Sequence, residues 1–194
     1  MLKLWESLEG WCTLEKAQRL YDLVKETDAK HIAELGVFGG KSLLPMAQAC
    51  KDKGSGVCVG VDAWKKEPAL TGTNAPENDA YWANMDYEHI FKSCSNAIVK
   101  FDLSKHCELF RLTTFQAAQI MSENVYDIIH QDSAHNPETI IQELDSWLPK
   151  LKQGGYWVID DCDWPETIEG YNKLPSYGLE LVEDFVKWQI WKKV

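Results

Sequence analysis

No apolar run in this chain approaches the ~20 residues needed to cross a bilayer. The first dozen residues, MLKLWESLEGWC, also lack the basic and then apolar stretches of an export signal. Neither export nor a membrane role is expected, and a cytoplasmic location is the expectation. Positive charge is scarce: 20 Lys and Arg stand against 30 Asp and Glu, a net charge of −10. Nucleic-acid binding draws most of its affinity from phosphate neutralisation, so that class of partner is excluded too. The six cysteines are scattered without a C-x-x-C pair, which argues against a zinc site or a disulfide framework and for reduced thiols. Repeats, low-complexity tracts and Pro/Gly/Ser-rich linkers are absent, so residues 1–194 read as one domain.

What the chain does have is an alternation of short apolar runs and amphipathic stretches. Leu14, Ala17, Leu20, Tyr21 and Val24 follow helical spacing behind a cap at Thr13, predicting a helix over 13–27 within an N-terminal helical segment of about 1–29. Strands are predicted at 31–36, 57–62, 107–112, 125–132 and 154–160, with two more in the tail from 179 to 194. Helices fall between them at 43–50, 78–98, 114–121 and 136–150. Pro45 lies in the first turn of its helix, and Asn136-Pro137 form a cap followed by proline at the first helical position. The segment 63–100 carries turn signals at Glu67-Pro68 and over 71–76, and reads as an acceptor-side insertion. The alternation predicts an α/β fold, Rossmann-like and doubly wound, with a mostly parallel seven-stranded sheet covered by helices on both faces.

In such sheets ligands bind beyond the carboxyl ends of the strands. Glu34, Asp62, Asp132 and Asp160/Asp161 all fall at or near those ends. The turn Gly36-Val-Phe-Gly-Gly40-Lys-Ser42 lets backbone approach a ligand, although a tight turn alone also accounts for it. It is not a dinucleotide fingerprint, because Phe38 holds the second glycine position, and no glycine lies five residues before Gly40 as a Walker loop needs. Asp132, Asp160 and Asp161 on neighbouring strands would repel one another unless a cation or a shared proton intervened, and oxygen donors favour Mg²⁺. His135 could then take a proton from a substrate hydroxyl. The alternative is that Asp132 and His135 only organise the helix entry, with Asp160 and Asp161 as solvated turn residues.

The spacing Glu34-x-Gly36-x-x-x-Gly40-x-Ser42 resembles motif I of class I S-adenosylmethionine (SAM)-dependent methyltransferases, and Asp62-Ala63-Trp64 resembles the D-x-W form of one branch. Asp132, His135, Pro149, Leu151, Gly154, Gly155, Asp160 and Asp161 follow that branch's later pattern, which includes the macrocin-type sugar O-methyltransferases; Ser133-Ala134 stand where it has a glycine and an acid. The match runs over about residues 30–165. The resemblance implies that Glu34, Gly36, Phe38, Gly40 and Ser42 line the methionine end of the cofactor. It implies further that Asp62, with Ala63 and Trp64, serves the ribose, and that Thr113 and Thr114 lie by the adenine, although a helix cap is an equal reading for the threonines. Asp132, Asp160 and Asp161 would be Mg²⁺ ligands and His135, beside Asp132, the base.

The expected function is O-methylation of a small hydroxylated acceptor such as a sugar, by a protein for which self-association stays open. A different Rossmann-like enzyme, NAD-dependent or hydroxylase-type, and a non-catalytic cofactor-binding module are the competing readings. Trp64, Tyr81, Trp82, Tyr87 and Trp164 are expected near the strand ends as packing or as an acceptor platform, and His130 as a core histidine.

Overall fold

The computed structural model describes residues 2–72, 76–133 and 135–194, together with the backbone alone of Leu2 and Asn78. Thr73, Asn74 and Ala75, within the expected turn, and Ala134, beside Asp132 and His135, lie outside the described residues. In chain order the elements are α1 (Leu2–Glu6), α2 (Leu14–Glu26), β1 (His31–Leu35), α3 (Leu43–Lys53), β2 (Val57–Asp62), α4 (Lys66–Ala69), α5 (Pro76–Ala83), α6 (Tyr87–Lys100), β3 (Cys107–Arg111), α7 (Thr114–Ile120), β4 (Tyr126–Gln131), α8 (Pro137–Trp147), β5 (Leu151–Ile159), α9 (Pro165–Tyr171), β6 (Leu179–Asp184) and β7 (Gln189–Lys193). The sheet order is β3-β2-β1-β4-β5-β7-β6. The five strands β1–β5 pair in parallel, and β7 runs antiparallel to both β5 and β6. The fold is the Rossmann-like doubly wound arrangement that the alternation predicts.

Strand pleat divides the interior into two layers. Ile32, Cys58, Ile128 and Val158 face one side, where Leu20, Leu23, Leu43, Leu44, Ile90 and Ile98 from α2, α3 and α6 cover them. Ala33, Leu35, Val61, Ile129, Trp157 and Ile159 face the other, beneath Ala117, Ile140, Leu144, Trp147 and Tyr171 from α7, α8 and α9. Because both faces are buried, the central parallel strands read as largely apolar runs, which is why the sequence reveals them.

Several elements differ from expectation, among them the short α4 at the Glu67-Pro68 turn signal. The helix expected over 78–98 is broken into α5 and α6, because the Asp86 side chain accepts from the His89 amide and starts a new helix. The helix α9 was not anticipated; Pro165 occupies its first turn behind Trp164. At the far end of β5, Gly154 takes a positive φ of 77° and the β4–β5 register shifts between Tyr126 and Ile128, so the strand starts at Leu151 and not 154.

Candidate active site

Strand order reverses between β1 and β4, which is where ligands bind in folds of this kind. Leu35 pairs with Gln131 there, and the Asp132 amide donates to the Leu35 carbonyl at 2.8 Å. Gly36 leaves β1 with φ 83°, and a Cβ at that position would lie on the Asp132 carbonyl and 2.5 Å from Ser133 Cα. Only glycine permits this approach, so the glycine turn and the turn carrying Asp132 are in backbone contact.

Asp62, the last residue of β2, closes the other side of the glycine turn. Its Oδ2 accepts from the amides of Val37 and Phe38 at 3.0 and 2.9 Å, and its Oδ1 accepts from the Trp64 amide at 2.7 Å. Burial pushes the Asp62 carboxyl above its ordinary value, against these three donors, yet the side chain stays partly exposed. Trp64 is 2% exposed; its indole N–H donates to the Phe38 carbonyl at 2.9 Å and its ring meets Phe91 edge-on. Ala63, between them, is half-buried. On the outer side, Phe38 packs 5.0 Å from Trp11 and 5.8 Å from Trp82, and Tyr81 joins the same cluster.

Beneath the turn, Glu34 shares the face of Ile32 and is wholly buried. It accepts from the Ser42 hydroxyl and from His130 Nδ1 at 3.2 Å, so Ser42, although it precedes α3, makes no side-chain cap. Among the described residues, Glu34 Oε2 and His130 Nε2 have no hydrogen-bond partner. Gly40 backs onto Cys94 and Leu44. Thr113 spends its hydroxyl on capping α7 and Thr114 is buried below Trp147, whose indole donates to the Thr114 carbonyl.

His135 Nε2 stands 2.6 Å from Asp161 Oδ2 and 3.9 Å from Asp132 Oδ1, under the Trp164 ring at 4.9 Å between centroids. It makes no aligned hydrogen bond to either. Asp161 sits in a left-handed turn (φ 52°) whose carbonyl accepts from the Thr167 hydroxyl at 2.7 Å, which fixes it to the start of α9. The turn before His135 is held from α8: Glu143, fully buried, accepts from the Ser133 hydroxyl and from Gln131 Nε2 at 2.9 Å. Burial raises the Glu143 carboxyl above its ordinary value, with those donors opposing.

A family model for a methyltransferase domain matches residues 33–162. The chain belongs to this methyltransferase family. Among solved structures, it is similar to the O-methyltransferase NovP at 13% identity and a TM-score of 0.73, over 93% of this chain and 79% of that one. The O-methyltransferase TomG from Streptomyces achromogenes, solved with SAM, matches at 14% identity and 0.65 over 94% and 79%. An O-methyltransferase from Bacillus cereus, solved with SAH, matches at 12% identity and 0.66 over 94% and 82%. Among curated proteins, no sequence matches it. No helix among the described residues is long and apolar enough to cross a membrane.

Besides Glu143, this edge contains a second residue that sequence reasoning missed. Lys16 of α2 is 3% exposed, and its Nζ pairs with Asp160 Oδ2. Burial alone would favour the neutral amine, but Asp160 and Asp132 outweigh it and hold the ammonium more firmly than usual. Burial likewise opposes ionisation of Asp160, but Lys16 leaves that carboxyl below its ordinary value. Burial, then Asp160, push Asp132 well above the carboxylate range. Among the described residues, the atoms that come within 4.8 Å of one another at this edge are those of Asp132, His135 and Asp161, and on the inner side those of Glu34, His130 and Asp132. Asp160 is in neither group; its Oδ2 is paired with Lys16 instead. A local signal for Lys16 did exist: it is the third residue of a Thr-capped helix, where Glu is favoured and a cation opposes the helix dipole.

Proposed function

We propose that this methyltransferase domain uses SAM and moves its methyl group to a hydroxyl of a small acceptor, with His135 as the base. The observation that supports this reading is the placement of His135 between two carboxylates, under Trp164, at the edge where Gly36 meets Asp132. When bound, the cofactor supplies a methyl group on a sulfonium, open to in-line displacement by an oxygen nucleophile.

All other tasks fall to the chain's own residues. Asp62 presents a partly exposed carboxylate beside the glycine turn, suited to accept from the paired hydroxyls of a ribose. Gly36 and the start of α3 form the floor for the methionine end, with Glu34, Ser42 and His130 fixed beneath it. His135 accepts the proton leaving the acceptor hydroxyl, and the imidazolium so formed is paired with Asp161 at 2.6 Å. Orientation and proton removal are what such a transfer asks of the protein. No step in this reading passes through magnesium.

The segment 63–100 is assigned to acceptor choice. It brings Tyr81 and Trp82 onto Trp11 and Phe38 beside the glycine turn, and Tyr81 and Trp11 are 44% and 65% exposed. Exposed rings of this kind stack on sugars and on flat ligands.

Calorimetry tests the cofactor first: S-adenosylhomocysteine binds and NAD does not. On an acceptor that supports turnover, His135→Ala then lowers the rate about 10²–10⁴-fold with S-adenosylhomocysteine affinity unchanged. Binding of NAD in place of the sulfur ligand, or an unchanged rate, refutes the reading.

A further inference from the structure

Lys16 is a buried charged group at this edge to which the proposed function gives no role. Its partner Asp160 is 144 residues away in sequence. The side chain runs from the first turn of α2 toward the carboxyl end of β5, with the ammonium 5.8 Å from the centre of the Trp188 ring. An ammonium is withdrawn from water only where opposite charge replaces the lost solvation. Asp160 meets that condition by direct contact. The Cys12 thiol also faces this ammonium, and burial pushes it up to about 12, so it stays protonated and adds no charge at neutral pH.

Three carboxyl groups at one sheet edge need compensation; beyond a proton held on Asp132, a divalent ion or a fixed side-chain cation could provide it. The structure contains the fixed cation. Asp160 is already committed to Lys16 and lies outside the group formed by Asp132, His135 and Asp161. An ion entering among the aspartates would also face the ammonium at close range, with little water between them to screen the repulsion.

We propose that Lys16 is the resident cation of this methyltransferase site. As a positioning residue it neutralises Asp160, leaves Asp132 and Asp161 to His135, and disfavours a divalent ion there. The proposal rests on the reading of this edge as the reaction site only for its consequence that turnover needs no added metal; the charge compensation itself is read from binding.

The test is Mn²⁺ titration of the full chain, followed by electron paramagnetic resonance of the free ion. Wild type is expected to bind Mn²⁺ weakly, Lys16→Gln at least about tenfold more tightly, and Lys16→Arg as weakly as wild type. Turnover of wild type is expected to survive EDTA. Tight Mn²⁺ binding by wild type, no gain in Lys16→Gln, or loss of turnover in EDTA overturns the proposal. Wild type alone keeps the test decisive if Lys16→Gln does not fold. If instead the enzymatic reading is wrong, S-adenosylhomocysteine fails to bind while the Mn²⁺ result stands.

Discussion

Asp62 holds the glycine turn in shape before any ligand arrives, and its replacement measures how much. Three backbone amides end on its carboxylate, at 3.0, 2.9 and 2.7 Å. Two of those amides belong to Phe38 and Trp64, which adopt positive φ angles of 50° and 42° that non-glycine residues rarely hold unaided. Hydrogen bonds to a charged acceptor contribute about 1.5–3 kcal/mol each, so three set an upper bound of about 5–9 kcal/mol. Burial of the carboxylate and recovery of water by the partly exposed turn offset much of that. The expected loss is about 2–4 kcal/mol for Asp62→Ala and about 1–2 kcal/mol for Asp62→Asn, which retains one acceptor oxygen. In urea, with a slope of about 2 kcal/mol/M, the alanine midpoint falls by about 1–2 M. Amide exchange at Val37 and Phe38 accelerates in both variants. An Asp62→Ala midpoint equal to that of wild type refutes the reasoning, even if S-adenosylhomocysteine binding is lost, because the carboxylate would then serve the ligand alone.

Two further substitutions and a titration probe the frame. Gly36→Ala puts a methyl onto the Asp132 carbonyl and is expected to lose at least about 3 kcal/mol together with ligand binding. Gly54→Ala, also at positive φ (71°) but with nothing within 4 Å, loses only about 1 kcal/mol; equal losses in thermal unfolding refute the contact argument. Asp127 accepts from the Lys30 and His31 amides and from Lys152; burial works against its ionisation, but these partners leave the carboxyl below its ordinary value. Its stabilising contribution is therefore present above the ordinary aspartate range and is lost as pH falls through the lowered value. The stability gap between wild type and Asp127→Asn closes on acidification from pH 7, and a gap that widens refutes the sign.

The sheet and most of its helices were legible because burial on both faces writes itself as local pattern: apolar runs for strands, periodic spacing and caps such as Thr13 and Asn136 for helices. The break at Asp86 was hidden, since apolar spacing runs through it and a single cap decides. The site was legible as a set of letters more than as a set of roles. Glu34 stands out in motif I, yet strand alternation turns it inward onto Ser42 and His130. Asp160 and Asp161 are adjacent in sequence but answer to Lys16 and His135 respectively. Lys16 and Glu143 escaped notice because their partners are distant or unmarked, and only the odd placement of a lysine in the first turn of α2 hinted at one of them.

The contact of Gly36 with the Asp132 turn has a consequence for how such a catalyst can diversify. The glycine turn and the turn carrying Asp132 are parts of one stiff joint, so neither can drift without dragging the other. On the proposed function, new acceptors are then accommodated on the periphery, in the aromatic awning formed by Trp11, Tyr81 and Trp82, where side chains can change while the joint beneath stays put.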